Sequence, residues 1–163
     1  MASETGVKIV VEVKDLQKVK DFVSRLAEFD EHDLVTNILS LGENQTRKRI
    51  LAGGPAPDGT LWPPNREGTP TLHPTGDNLL GSLAWTSHGS AGEWGASFPF
   101  AHIHQEGAVI SPKNAKLLAF PVKGKMAFAH KVTIPKREFL GVSAEDAKEI
   151  DALVTDFLGE LLK

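Results

Sequence analysis

Val7, Ile9, Val11 and Val13 alternate with Lys8, Val10 and Glu12 near the start of the chain, the two-residue period of a strand with one buried face. From Asp15 the period lengthens. Leu16, Val19, Phe22, Val23, Leu26 and Phe29 recur every three or four residues between charged positions, which predicts an amphipathic helix ending near Asp30. Leu34, Val35, Ile38, Leu39, Ile50 and Leu51 predict a second helix, with Gly42 and Asn44 expected to kink or split its middle and Gly53-Gly54 to end it.

Residues 53–76 hold 11 Gly or Pro in 24 positions, which blocks helix and ladder propagation and predicts an extended loop or arm. Trp62 within it needs an apolar surface to dock on. Thr75-Gly76-Asp77-Asn78 before Leu79 and Leu80 marks a short capped helical turn. Residues 83–87 and 93–98 alternate around a polar turn and read as a hairpin. Residues 100–106 read as a brief helix closed by Gly107. Leu117–Val122 and Met126–Ile134 read as a second hairpin joined at Lys123-Gly124-Lys125, with Pro121 marking a bulge or edge. Ser143 and Asp146 have the spacing of a capping box, and Ala147, Ile150, Val154, Phe157 and Leu161 continue a helical stripe. The expectation is a single α+β domain over residues 1–163. An antiparallel sheet of short strands from residues 7–13, 83–98 and 117–134 is covered by N-terminal and C-terminal amphipathic helices, with a long Gly/Pro-rich loop.

The 163 residues include no cysteine, which removes disulfides, thiolate metal sites and cysteine nucleophiles from consideration. With no apolar run of about 20 residues and no leader-like start, the chain reads as a soluble product of the cytosol with no membrane partner. The net charge of -3 is unevenly spread: residues 108–140 carry 7 basic side chains against 1 acidic, and residues 141–163 carry 2 against 6. A basic stretch therefore precedes an acidic helix, and its lysines are either a solvated face or a surface for nucleic acid or an acidic neighbour.

Catalytic signatures are sparse. Phosphate-binding glycine loops and nucleophile elbows are absent from the sequence. His102, His104 and Glu106 form the tightest grouping of metal-ligand types, and a small metal-dependent hydrolase built on them is one alternative function. On a helix, however, positions two apart point to different sides, so hydrogen bonding at a helix end or interface is the preferred role. A second alternative is a DNA-contacting module using Lys113, Lys116, Lys123, Lys125, Lys131, Lys136 and Arg137. No cofactor is implied.

Four short motifs occur in order: Asp58-Gly59-Thr60-Leu61-Trp62-Pro63-Pro64; Leu72 through Thr75-Gly76 to Leu80 and Ser82; Ala101-His102-Ile103-His104-Gln105-Glu106-Gly107; and Ile134-Pro135-Lys136-Arg137-Glu138-Phe139-Leu140-Gly141, followed by the acidic helix after Ser143. Over roughly residues 46–162 this series resembles the phage virion morphogenesis family, the tail-completion proteins of Mu-like contractile-tailed phages and prophages. The chain departs from the family in a short polar stretch between Pro64 and Leu72, and its first 45 residues carry only a general strand-and-helix pattern.

The resemblance implies a structural, non-enzymatic protein made in the host cytoplasm. It would act late in assembly, at the end of the tail or the head–tail junction of the virion, with tail tube and head-connector proteins as partners. A ring of identical subunits closed by head-to-tail contacts fits that place, and its basic residues would make at most transient contact with DNA in a lumen. Candidate interface residues are Trp62, His102, His104, Gln105, Pro135, Arg137 and Phe139. Arg137 is expected to make a bidentate contact with a carboxylate, on its own acidic helix or on a neighbour.

Overall fold

A computed structural model describes residues 13–65, 68, 71–72 and 76–161. Residues 7–12 of the first predicted strand lie outside the described residues, and Val13 belongs to a helix. That helix, α1, runs Val13–Ala27, and α2 runs Glu31–Ala52. The Asp30 carboxylate accepts from the His32 amide at 2.8 Å to start α2. Gly53 ends it in the left-handed region at φ 78°, with the Gly54 amide donating back to the Arg49 carbonyl at 3.1 Å.

The predicted break in α2 does not occur. Leu39, Gly42, Thr46, Arg49 and Ile50 step by three and four along one buried face, so the stripe continues through polar residues that an apolar periodicity does not register. Each of these polar groups has a partner. Thr46 donates to the Gly42 carbonyl at 2.9 Å and accepts from the Trp94 indole at 3.2 Å, and Gln45 donates to the Asp146 carbonyl and the Glu149 carboxylate. Gly42 is present because the Trp94 ring lies directly on the helix: a Cβ there would fall 2.8 Å from Trp94 Cε2.

The strands form three separate two-stranded antiparallel ladders among the described residues, not one sheet. β1 (Leu83–His88) pairs with β2 (Ala91–Ala96) as the expected hairpin, and α2 lies across it. Next, α3 (Gly76–Gly81) precedes β1, while α4 (Ala101–Glu106) is closed by Gly107 and leads into β3 (Ala108–Ile110). The predicted long strand 126–134 is two. β4 (Leu118–Val122) pairs with β5 (Lys125–Ala129) until Ala129 meets Leu118, where β4 has no further residue to offer. After His130-Lys131 the chain is captured by β3, forming β6 (Val132–Ile134). The last helix, α5 (Ala144–Leu161), packs on α2, not on a sheet, and Phe157 meets Phe29 edge-to-face at 5.9 Å.

The core joins Ile50, Ala56, Trp62, Leu72, Leu79, Leu83, Ala101 and Phe139. It draws on α2, α3, β1, α4, the turn at Thr71-Leu72 and two segments without regular structure, 53–65 and 135–142. Among the apolar surface that remains outside it, two stretches stand out. One is the α1 stripe of Val19, Phe22, Val23 and Leu26; the other is the outer face of the β4–β5 hairpin, where Met126 and Phe128 are 58% and 64% exposed.

Alanine at an exposed helical glycine is normally stabilising by about 1 kcal/mol. Gly42→Ala is expected to do the reverse, because the Trp94 ring is tied to Thr46 and cannot swing away freely. Denaturant titration should show a loss of about 1–2 kcal/mol, the usual cost of overpacking; unchanged stability would mean the helix and hairpin slide apart without penalty.

Candidate functional site

Three of the four motifs, Asp58–Pro64, Ala101–Gly107 and Ile134–Gly141, converge in space. Pro135 restricts Ile134 to extended geometry, and Ile134 is indeed the last residue of β6. Residues 135–142 then cross the molecule as a strap with no ladder partner, so their amides and carbonyls need other partners. The Arg137 amide donates to the His104 carbonyl at 2.7 Å. Gln105 serves the next stretch with one side chain: its Oε1 accepts from the Phe139 and Leu140 amides at 3.1 and 3.0 Å, and its Nε2 donates to the Leu140 carbonyl at 3.0 Å. The Trp62 indole donates to the Glu138 carbonyl at 3.2 Å. Between these bonds the Phe139 ring is fully buried.

Arg49 of α2 completes the set. Its Nη1 donates to the Phe139 and Gly141 carbonyls at 2.8 and 3.1 Å, and its Nη2 pairs with the Asp146 carboxylate. Asp146 in turn accepts from the Ser143 amide at 2.8 Å while its own amide donates to the Ser143 hydroxyl oxygen at 3.1 Å, the reciprocal cap of α5. Burial by itself raises the Asp146 carboxyl, but the Ser143 amide and hydroxyl and the Arg49 charge outweigh it and hold the group below its ordinary value. The buried arginine–carboxylate pair thus belongs to Arg49. Sequence reasoning missed Arg49, whose one signal was its place on the three-and-four stripe of α2.

Arg137 does not make the expected carboxylate contact. Its side chain is 7% exposed and turns inward, with Nε donating to the Pro63 carbonyl at 3.0 Å and Nη2 to the Pro64 carbonyl at 3.2 Å. Proline has no amide to exchange into a ladder, so these carbonyls are accessible acceptors, and the guanidinium fork clamps the strap to the segment 53–65. The Asp58–Pro64 motif is itself locally built. The Asp58 carboxylate accepts from the Thr60 amide at 2.9 Å, which lowers the Asp58 pKa, and Ala56 and Thr60 bond across the turn.

His102 and His104 sit on α4 as predicted, His102 exposed and His104 half-buried. His104 Nδ1 is buried without a partner, and burial first, then the Arg137 charge, lowers its pKa. No group of three or more His, Asp or Glu is placed to hold a metal among the described residues. Of the basic stretch, Lys113, Lys116, Lys123, Lys125 and Lys131 are exposed; Lys136 reaches Glu138 at 2.5 Å, and Arg137 is used internally. Of the candidate residues, Trp62, Gln105, Arg137, Phe139 and the His104 backbone thus belong to one hydrogen-bonded hub, while Pro135 opens the strap and His102 is exposed.

Gln105→Ala leaves two amides and a carbonyl of the strap without their bonds and is expected to cost about 2–4 kcal/mol in denaturant titration; a change under about 1 kcal/mol would show that water replaces the amide. Stability should also fall in acid in two stages. His104 and Asp146 both have folded values below their unfolded ones, so the unfolded chain binds more protons and stability rises with pH. The His104 contribution is lost as pH falls below about 6.5, and that of Asp146 as it falls below about 4. His104→Gln should remove the upper stage and Asp146→Asn the lower; melting curves across pH that keep both stages in these variants would assign them elsewhere.

The model of the phage virion morphogenesis family matches residues 14–159. The protein named Mu-like prophage FluMu G protein 2, from Haemophilus influenzae (strain ATCC 51907 / DSM 11121 / KW20 / Rd), is 27% identical over 160 residues, covering 95% of this chain and 99% of that one. No solved structure matches. The family match takes in every residue of the hub and nearly all of the helices around it, and the chain belongs to the phage virion morphogenesis family.

Proposed function

We propose that the protein is a non-enzymatic structural component that completes the phage tail and joins it to the head, acting as a homo-oligomeric ring at the tail end. The observation that carries this reading is how the hub uses its chemistry. Gln105, Arg137, Arg49, Asp146 and Trp62 are all committed to holding backbone groups or one another. A catalytic site leaves such side chains open to substrate. Here they build a rigid centre, while apolar surface on α1 and on the β4–β5 hairpin stays uncovered, the arrangement of a part made to dock. The relative's name places it in a Mu-like prophage, in keeping with a virion role. The partners are tail tube and head-connector proteins, and the finished protein resides in the virion.

The hydrolase alternative gains nothing from the geometry, because His102 and His104 diverge on α4 and His104 is turned into the fold. The DNA alternative retains the exposed lysines but loses Arg137, which is buried.

Deleting the gene from an inducible prophage that carries it is expected to yield separate heads and tails by electron microscopy, with joined particles restored by a plasmid copy. Joined, infectious particles in the absence of the gene would overturn the assignment.

A further inference from the structure

The β4–β5 hairpin is apolar on both faces. Its register places Pro121 opposite Met126 and Ala119 opposite Phe128, so these four side chains share one face, and all four are exposed. The other face, with Phe120, Val122 and Ala127, is half-buried. Among the described residues β4 and β5 pair with no third strand, and an exposed apolar face on such a ribbon calls for a cover. Its surroundings are basic: Lys113, Lys116, Lys123, Lys125 and Lys131 occur within residues 113–131, which contain no acidic residue.

The matching surface lies elsewhere on the same chain. Between α2 and α5 runs an open groove of about 500 Å³, walled by Leu41, Ala152, Leu153 and Phe157 and rimmed by Glu149, Asp156 and Glu160. It offers an apolar floor to match the apolar face of the hairpin, and the opposite charge. The hairpin cannot pair with its own kind without bringing lysines together. The exposed stripe of α1 does not serve either, since Lys18 and Lys20 border it.

We infer that the β4–β5 hairpin of one copy docks in the α2–α5 groove of a second copy, with Met126 and Phe128 on the apolar floor and Lys123 and Lys125 toward the acidic rim. Each copy carries one hairpin and one groove at different places, so the contact is head-to-tail and propagates until a ring closes or a filament forms. This inference rests on the ring reading above and supplies that ring with its contact. Apolar complementarity holds the contact, and the charges set its direction and exclude hairpin-to-hairpin pairing.

The absence of cysteine makes the test direct. Phe128→Cys combined with Ala152→Cys, purified and mildly oxidised, should give a ladder of covalent oligomers on a non-reducing gel, and each single variant should give nothing beyond a dimer. An internal disulfide in a monomer, or no cross-link, would overturn the inference. Independently, Lys123→Glu with Lys125→Glu, or Asp156→Lys with Glu160→Lys, should weaken self-association in sedimentation about tenfold or more, and the four together should restore it. All lie at exposed positions, and unchanged circular dichroism verifies folding. If the lysine reversals instead abolish retention of a duplex DNA fragment and leave the mass unchanged, the hairpin belongs to nucleic acid and the inference falls. Virions completed by a lysine-reversed chain would sink the docking but not the assembly role. A ladder from a chain whose gene is dispensable for virion completion would sink the assembly role but not the docking.

Discussion

The fold depends on satisfying the backbone of one irregular segment. Residues 135–142 pass through the core, where an amide or carbonyl without a partner costs about 1–3 kcal/mol, yet they belong to no helix or ladder. Side chains from three places answer that demand: Gln105 from α4, Arg49 from α2 and Trp62 from the segment 53–65. Each bond ties a different part of the chain to the strap. α2, α4 and the segment 53–65 are thereby joined through the strap, and the Phe139 ring sits in the core with Ile50, Trp62, Leu79 and Leu83.

Two buried arginines do this work by different physics. Arg49 is neutralised by Asp146, which is itself held ionised by the cap of α5, so the charge pair joins two helices and the strap in a single network. Arg137 meets the dipoles of two proline carbonyls. Burial lowers its pKa, the sign of a charge taken from water and held by acceptors that offer no full opposite charge. Gly141 belongs to the same close fit: its φ is 144°, and a Cβ there would stand 2.7 Å from Pro57 Cγ. The strap and the segment 53–65 are pressed together along their length.

The consequence is a division between a hydrogen-bonded centre and an uncovered periphery. Buried polar side chains are held by hydrogen bonds, and the exposed surface carries apolar faces edged with charge. Basic and acidic stretches adjacent in sequence end on different surfaces, the lysines around the hairpin and the carboxylates along α5.

By itself the sequence determined the local elements: the α1 stripe, the capping box of Ser143 and Asp146, the hairpin at residues 83–96, the short helix closed by Gly107 and the motifs that carry the family. All of these follow from periods and caps that neighbouring residues impose on one another. Which strands share a ladder, by contrast, was decided by tertiary structure, because a run such as Met126–Ile134 has the same alternation whether it faces one partner or two. The unbroken course of α2 was decided there too, since Gly42 weakens a helix unless a ring such as that of Trp94 needs the space. The roles of Arg49 and Arg137 were least legible. A guanidinium has the same propensity and hydropathy whether it faces water, a carboxylate or a proline carbonyl, and only the packed chain determines which of these lies within reach.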